Sequence, residues 1–329
     1  MTRVLALSAA VAVCIAAAAA GFAAFAIAGD RALPVRETTL IVAAGTSASE
    51  TARQLQAAGV VRSALAFELA TRLHGAGRLL RAGAFRFDAH RTTGEILQQI
   101  VSGSGQVAEW VTFPEGYTAR QIAATLAAHG LGDEAELTHA FLHDTIVVGG
   151  TRTRSLEGFL FPSTYLIALD ATPQDVERQL TDAFRHELPP DAQARARRLG
   201  LRVPEVVTLA SLIEREAKAD DERPLMAGVY YNRLRLRMPL QVDASIEYTF
   251  PAHKTEITRA DLASDSAYNT YKHLGLPPTP IANPGRASLV AALRPRPSQY
   301  LYYVYRGDGH HAFSRTLAEH NANVSRYLH

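Results

Sequence analysis

The chain has 329 residues, of which 47% are hydrophobic and 20% charged, and its formal net charge is +2. That composition is globular rather than disordered, and the length allows two domains. No long basic run appears, so nucleic acid is not an expected partner. Arginine carries nearly all the positive charge, with lysine only at 218, 254 and 272. The single cysteine, Cys14, lies inside the first apolar run, which excludes a disulfide framework or a thiolate metal site within one chain.

Val4 to Ala28 is uncharged, with Arg3 before it and Asp30 and Arg31 after it. At about 1.5 Å per residue the run can cross a hydrocarbon core of roughly 30 Å. A cleavable signal peptide is the competing reading, and Ala26-Ile27-Ala28 would suit a peptidase. Signal h-regions run only about 7–15 residues, so the length favours an uncleaved anchor. The expected order is a cytoplasmic tail at 1–3, a transmembrane anchor over 4–28 and a linker over 29–37, with the body outside the cytoplasmic membrane.

Beyond the anchor, Thr38–Ala43 suits a strand, and Ser47 caps a helix that Gly59 stops. Ser63 caps a second helix, Ala64–Leu73, Gly83–Asp88 reads as a strand, and Thr92/Thr93 open a third helix over Gly94–Val101. Residues 38–60 and 109–131 form a partial internal repeat of strand, Gly-containing turn, cap, helix bearing Ala-Arg-Gln, and closing Gly. Two copies fall short of a solenoid. A helix near Glu134–Leu142 precedes an aromatic, apolar stretch, Leu156–Leu166, with Glu157 embedded in it. Pro173 begins a helix through His186, Asp191 caps another that ends at Gly200, and Pro204 starts a central helix at a favourable first-turn position.

That central helix carries Glu214 and Glu216, whose spacing points them to nearly opposite sides. At 100° per residue Glu216 projects with Leu209, flanked by Val206, Leu212 and Ile213. Glu214 projects with Val207, Ala210 and Ser211, and Lys218 stands four residues on as an ion-pair partner. A carboxyl against apolar walls has its pKa raised, which suits a general acid for a glycosidic oxygen. Glu214 reads as a supporting or alternative acid. Gln241 and Asp243 alternate with Leu240 and Val242, and so share one face of an expected strand. With Tyr231 and Asn232 on the next helix, they are the polar and aromatic groups a sugar cleft uses. Asn269 and Tyr271, in Tyr-Asn-Thr-Tyr, are further candidates.

The chain resembles the YceG-like, or MltG-type, endolytic murein transglycosylases over essentially its whole length. The resemblance rests on FPEGYTARQIA (113–123), LEGFLFPSTY (156–165), ASLIEREA (210–217), VYYNRLRLRMPLQVDAS (229–245), YNTYKHLGLPPTPIANPG (268–285) and YLYYVYRGDGHHAFSRTLAEHNANV (300–324). It implies an α+β chain with one N-terminal transmembrane helix, a small LysM-like module over 38–105 and a mixed α+β catalytic domain over 106–329. It implies a single-pass inner-membrane protein whose catalytic domain faces the periplasm. The implied reaction cleaves the MurNAc-GlcNAc bond within nascent peptidoglycan strands, leaving 1,6-anhydro-MurNAc ends and ending glycan elongation. The family's catalytic glutamate is the second of the Glu-x-Glu pair, which falls on Glu216. Peptidoglycan synthases and division or elongation proteins are implied partners. Val242 and Ala244 depart from the family's usual Thr and Pro, and His310 from a usual Gly.

No cofactor is expected. His310, His311 and His320 invite a metal, but adjacent histidines rarely share an ion and no HExxH spacing exists. A Ser/His/Asp hydrolase lacks its G-x-S-x-G elbow. The competing class is a non-catalytic, membrane-anchored scaffold that binds peptidoglycan.

Overall fold

A computed structural model describes Gly21 and residues 37–88, 91–250, 254 and 257–328. The anchor expected over 4–28 therefore lies outside the described residues, Gly21 apart. Among the described residues no helix is long and apolar enough to cross a membrane. The chain is mixed α+β and divides into two compact units. One holds the described residues through Val111 together with Tyr165–Asp170, and the other Thr112–Thr164 with Ala171–His329.

In the first unit, β1 (Thr38–Val42) leads to α1 (Ala48–Ala57), α2 (Ala64–Leu73), β2 (Gly83–Phe87), α3 (Thr93–Ser102) and β3 (Gln106–Thr112). Each helix begins where a hydroxyl meets its first-turn N–H groups. Ser47 accepts from Glu50 N, Ser63 from Ala66 N, and Thr92 and Glu95 form a reciprocal capping box. β1 pairs antiparallel with β2 from Thr38↔Phe87 to Val42↔Gly83. β2 pairs antiparallel with β3 through a register shift at Ala84/Phe85. Leu55, Phe67, Phe85, Ile96 and Ile100 close the core. Where a 105/106 boundary is expected from sequence, this unit also takes in β3, because β3 completes the pairing of β2. The fourth strand of the sheet, in the order β1-β2-β3-β6, is supplied from far downstream by Thr164–Ala168, which is β6.

The second unit runs through α4 (Ala119–Ala128), α5 (Glu134–His143), the short pair β4 (Val147–Val148) and β5 (Thr151–Arg152), α6 (Pro173–Glu187) and α7 (Ala192–Arg198). It continues with α8 (Val203–Glu216), α9 (Arg223–Arg235), α10 (Asp243–Glu247), α11 (Arg259–Leu262) and α12 (Arg286–Leu293). The antiparallel hairpin β7 (Tyr302–Tyr305) and β8 (His311–Ser314) precedes α13 (Leu317–Tyr327).

Helix α8 is the axis of this unit. Val203 and every residue from Val206 to Ile213 are buried, so the helix is enclosed on all sides instead of showing the two-faced pattern expected from sequence. α7, α9, α10 and α12 pack around it. Its last turn, with Glu214 and Glu216, reaches polar surroundings, and the helix ends there because Ala217 turns extended.

Candidate active site

Glu216 is the last residue of α8 and is half-buried. The hydroxyl of Tyr303 on β7 donates to its Oε2 at 3.2 Å. Tyr303 in turn stands 2.7 Å from the hydroxyl of the fully buried Tyr230 on α9, with the rings edge to face. Burial pushes the Glu216 carboxyl up to about 7, the Tyr303 bond opposes that, and the negative charge of Asp243 adds to it. Burial also raises both phenols, so each keeps its proton across the physiological range. Oε1 of Glu216 has no hydrogen-bond partner among the described residues.

Glu214 has a different setting. Its side chain is only 5% exposed, and Oε1 accepts from Arg223 Nη1 at 3.2 Å. Oε2 accepts from Gly285 N, at the start of α12, at 2.9 Å. Arg223 also reaches Ser288 and Asp220. The partner of Glu214 is therefore Arg223 and not Lys218, because the helix ends at Glu216 and carries the chain away from an i+4 position. A Cβ on Gly285 would fall 1.8 Å from Glu115 Oε1, so a side chain there would displace the Glu115 carboxylate. Glu115 is itself pushed up by burial and by the nearby charge of Glu214.

Around Glu216 the loop before α10 presents Gln241 and Asp243, both exposed. The expected strand is absent: Gln241 adopts φ +52 and Asp243 opens a helix. The burial alternation survives, with Leu240 and Val242 inside. A left-handed non-glycine costs about 1 kcal/mol and persists only where its surroundings hold it. Here Gln241 N donates to Thr270 O at 3.1 Å, and the buried Arg233 donates to Gln241 Oε1 at 3.1 Å as well as to Pro239 O and Leu240 O. Tyr271 donates to Asp243 Oδ1 at 2.6 Å. Glu216, Gln241, Asp243 and Tyr271 thus lie about one polar locus.

Three other candidates are occupied within the fold. Asn232 Nδ2 donates to Ser298 O and Tyr300 O, and Tyr231 donates to Ala292 O at 2.9 Å. The fully buried Asn269 donates to Leu262 O and Ser264 O, and its oxygen accepts from Tyr271 N. With Arg235 donating to Asn232 Oδ1, these contacts leave neither asparagine amide free for a ligand.

Sequence reasoning did not single out Tyr303. Its motif is readable, but only the hairpin's docking brings it to Glu216. The same holds for the buried pair beneath the hairpin, where Glu222 accepts from His311 N at 2.7 Å and lies 2.9 Å from its Nδ1. The His311 ring meets Tyr303 edge to face at 5.5 Å. His320 stacks on Tyr302. Among the described residues no group of three His, Cys, Asp or Glu could hold a metal ion. A cavity of about 450 Å³ lies at the other end of α8, against Pro204, Glu205 and Thr208, and Glu216 does not line it.

Glu157, read only as an embedded acid, is fully buried. Both its oxygens accept from Ala119 N at the start of α4, Tyr248 donates to Oε2 at 3.0 Å, and Asn283 donates to Oε1 at 3.2 Å. Asn283 also accepts from Gly158 N and Leu160 N, each at 2.9 Å. Burial lifts the Glu157 carboxyl to about 7 against those bonds.

Residues 40–326 match the YceG-like family. An endolytic murein transglycosylase of Bacillus subtilis (strain 168) is 33% identical over 311 residues, covering 87% of this chain and 84% of that protein. An endolytic murein transglycosylase of Streptococcus pneumoniae serotype 2 is 29% identical over 337 residues, or 91% of this chain, and the match spans 61% of that protein's length. The crystal structure of a YceG-like protein from Listeria monocytogenes aligns with a TM-score of 0.63 at 30% identity, over 87% of this chain and 98% of that one.

Proposed function

Because the chain belongs to the YceG-like family, we propose that it is an endolytic murein transglycosylase with Glu216 as its acid and base. The observation that carries this reading is the half-buried Glu216 carboxyl, lifted to about 7 and held on one oxygen by Tyr303. An acid with that pKa is substantially protonated near neutral pH and still able to give its proton up.

The Tyr303 bond occupies Oε2, so the transferable proton resides on Oε1. That oxygen protonates the bridging oxygen between N-acetylmuramic acid and N-acetylglucosamine as the C1–O bond breaks. The carboxylate left behind takes the proton of the muramyl C6 hydroxyl as that hydroxyl attacks C1 of its own ring, giving the 1,6-anhydro end. The nucleophile is intramolecular and no water is consumed, so one acid/base group suffices. Gln241, Asp243 and Tyr271 hold the saccharide. Burial, helped by repulsion from Asp243, keeps Glu216 protonated, and the negative charge of Asp243 suits an oxocarbenium-like transition state. Tyr231, Asn232 and Asn269 support the walls, and Glu214 holds Arg223 and the start of α12.

The N-terminal run is the single inner-membrane anchor, the first unit is the LysM-like module, and the body works in the periplasm on nascent strands beside the synthases that extrude them. Incubating the protein with un-crosslinked glycan and reading the products by mass tests the assignment. Anhydro ends are expected with wild type, and Glu216→Gln is expected to lose about 10²–10⁴-fold of the rate. Absence of such ends, or their equal abundance with the variant, would leave the non-catalytic scaffold instead, and products carrying added water would mark a hydrolase.

A further inference from the structure

The cavity of about 450 Å³ has a chemistry of its own. Its charged rim holds Arg152, Arg154 and Arg202 against a single carboxylate, Glu205. Arg202 is paired with Glu205 at 2.7 Å, and Arg152 donates to the Thr145 hydroxyl. Arg154 is exposed and has no carboxylate partner among the described residues. One wall is apolar, from Phe159, Leu234 and Leu276, and another is the proline-stiffened 275–280 loop. A second cavity of about 250 Å³ shares Thr151, Leu201 and Arg202 with it and adds Arg197. The net charge is positive and a single aromatic ring lines the larger cavity, a poor platform for a neutral sugar.

We propose that this cavity is a peptide subsite that takes the carboxylate-bearing end of the stem peptide carried by the glycan strand. The inference rests on the proposed reaction at Glu216. Glu205 lies eleven positions before Glu216, about 16 Å along the α8 axis. An extended stem of five residues reaches at most about 17 Å. Residues 206–213, between Glu205 and Glu216, are buried, so the stem that enters among Arg152, Arg154 and Arg202 passes over the surface, from a saccharide further along the strand than the one cut at Glu216. The apolar wall receives the methyl group of a C-terminal alanine, and the guanidinium groups pair with its carboxylate.

The test compares wild-type full-length protein with Arg154→Glu and Arg152→Ala, both at exposed positions. Three probes are used: peptide-bearing glycan, the same glycan stripped of stems by an amidase, and a free stem peptide with its C-terminal carboxylate or the corresponding amide. On peptide-bearing strands KM is expected to rise about tenfold in Arg154→Glu with kcat kept, and to change little on stripped strands. The free carboxylate peptide is expected to bind wild type at least tenfold more tightly than its amide and to lose that preference in the variant. Equal KM for both substrates in wild type and in both variants, or equal binding of acid and amide by wild type, would overturn the subsite. Absence of anhydro ends from any substrate would overturn the reaction instead, and the binding comparison still decides the cavity.

Discussion

Tyr303 donates its hydroxyl to Oε2 of Glu216 at 3.2 Å across 87 residues of chain. The neighbouring hydroxyl of Tyr230, 2.7 Å away, holds it from behind. The bond favours the ionised carboxyl, so Tyr303→Phe raises the Glu216 pKa above about 7. In wild type kcat/KM falls as pH rises through about 7, when the acid loses its proton. In the variant that limb moves to higher pH while the rate drops about 10-fold or more, as expected for a lost bond to a charged group. A pH–rate profile whose limb stays in place or moves down would contradict the arrangement.

Glu157 makes the fold itself sensitive to pH. Its folded pKa of about 7 lies above the ordinary 4.5, so the neutral acid is what the interior favours. The stability it contributes is complete below about 4.5 and is lost as pH rises through about 7, at most about 3 kcal/mol. Glu216 acts with the same sign. Denaturant midpoints are expected to fall between pH 5 and pH 7.5, and Glu157→Gln is expected to flatten that slope. An equal slope in both proteins would show that Glu157 does not titrate there.

Glu214→Gln separates structure from chemistry. It leaves Arg223, with a side chain only 10% exposed, without its buried counter-charge. Breaking one side of such a pair costs about 3–5 kcal/mol. Thermal unfolding is expected to move well down, while turnover below the transition survives at a level Glu216→Gln does not reach. Total loss of turnover in a folded Glu214→Gln protein would transfer the acid role to Glu214.

Gly158→Ala tests the joint that Asn283 ties together. Gly158 has φ +88, and a Cβ there would stand 2.4 Å from the Pro280 ring. Backbone strain and overpacking together cost about 2–5 kcal/mol. A melting temperature unchanged from wild type would mean that the 280 loop yields freely.

The local elements were legible because their signals are local. Ser47, Ser63 and Thr92 cap helices by accepting first-turn N–H groups, whereas Asp191, read as a cap in the same way, makes no side-chain cap bond because its carboxylate turns to Arg195. The helix that carries Glu214 and Glu216 was legible too, from Pro204 and the apolar run after it. The relative burial of the two glutamates was not, because helical angles cannot show that Arg223 and Gly285 enclose Glu214. Gln241 and Asp243 alternate with buried neighbours as a strand would, yet tertiary contacts from Arg233 and Thr270 fix a left-handed turn there. Asn232 and Asn269 looked like sugar ligands because an amide's sequence carries no record of which carbonyls it meets.

β6 has a consequence for how the chain is made. The outer strand of the first unit's sheet is read out only after Thr112–Thr164 of the second unit has been synthesised. Until Tyr165–Asp170 leaves the ribosome, β3 keeps an open row of N–H and C=O groups, a template for pairing with any passing strand. The first unit therefore cannot be finished in order of synthesis, and a fragment cut after Val111 inherits the same unsealed edge.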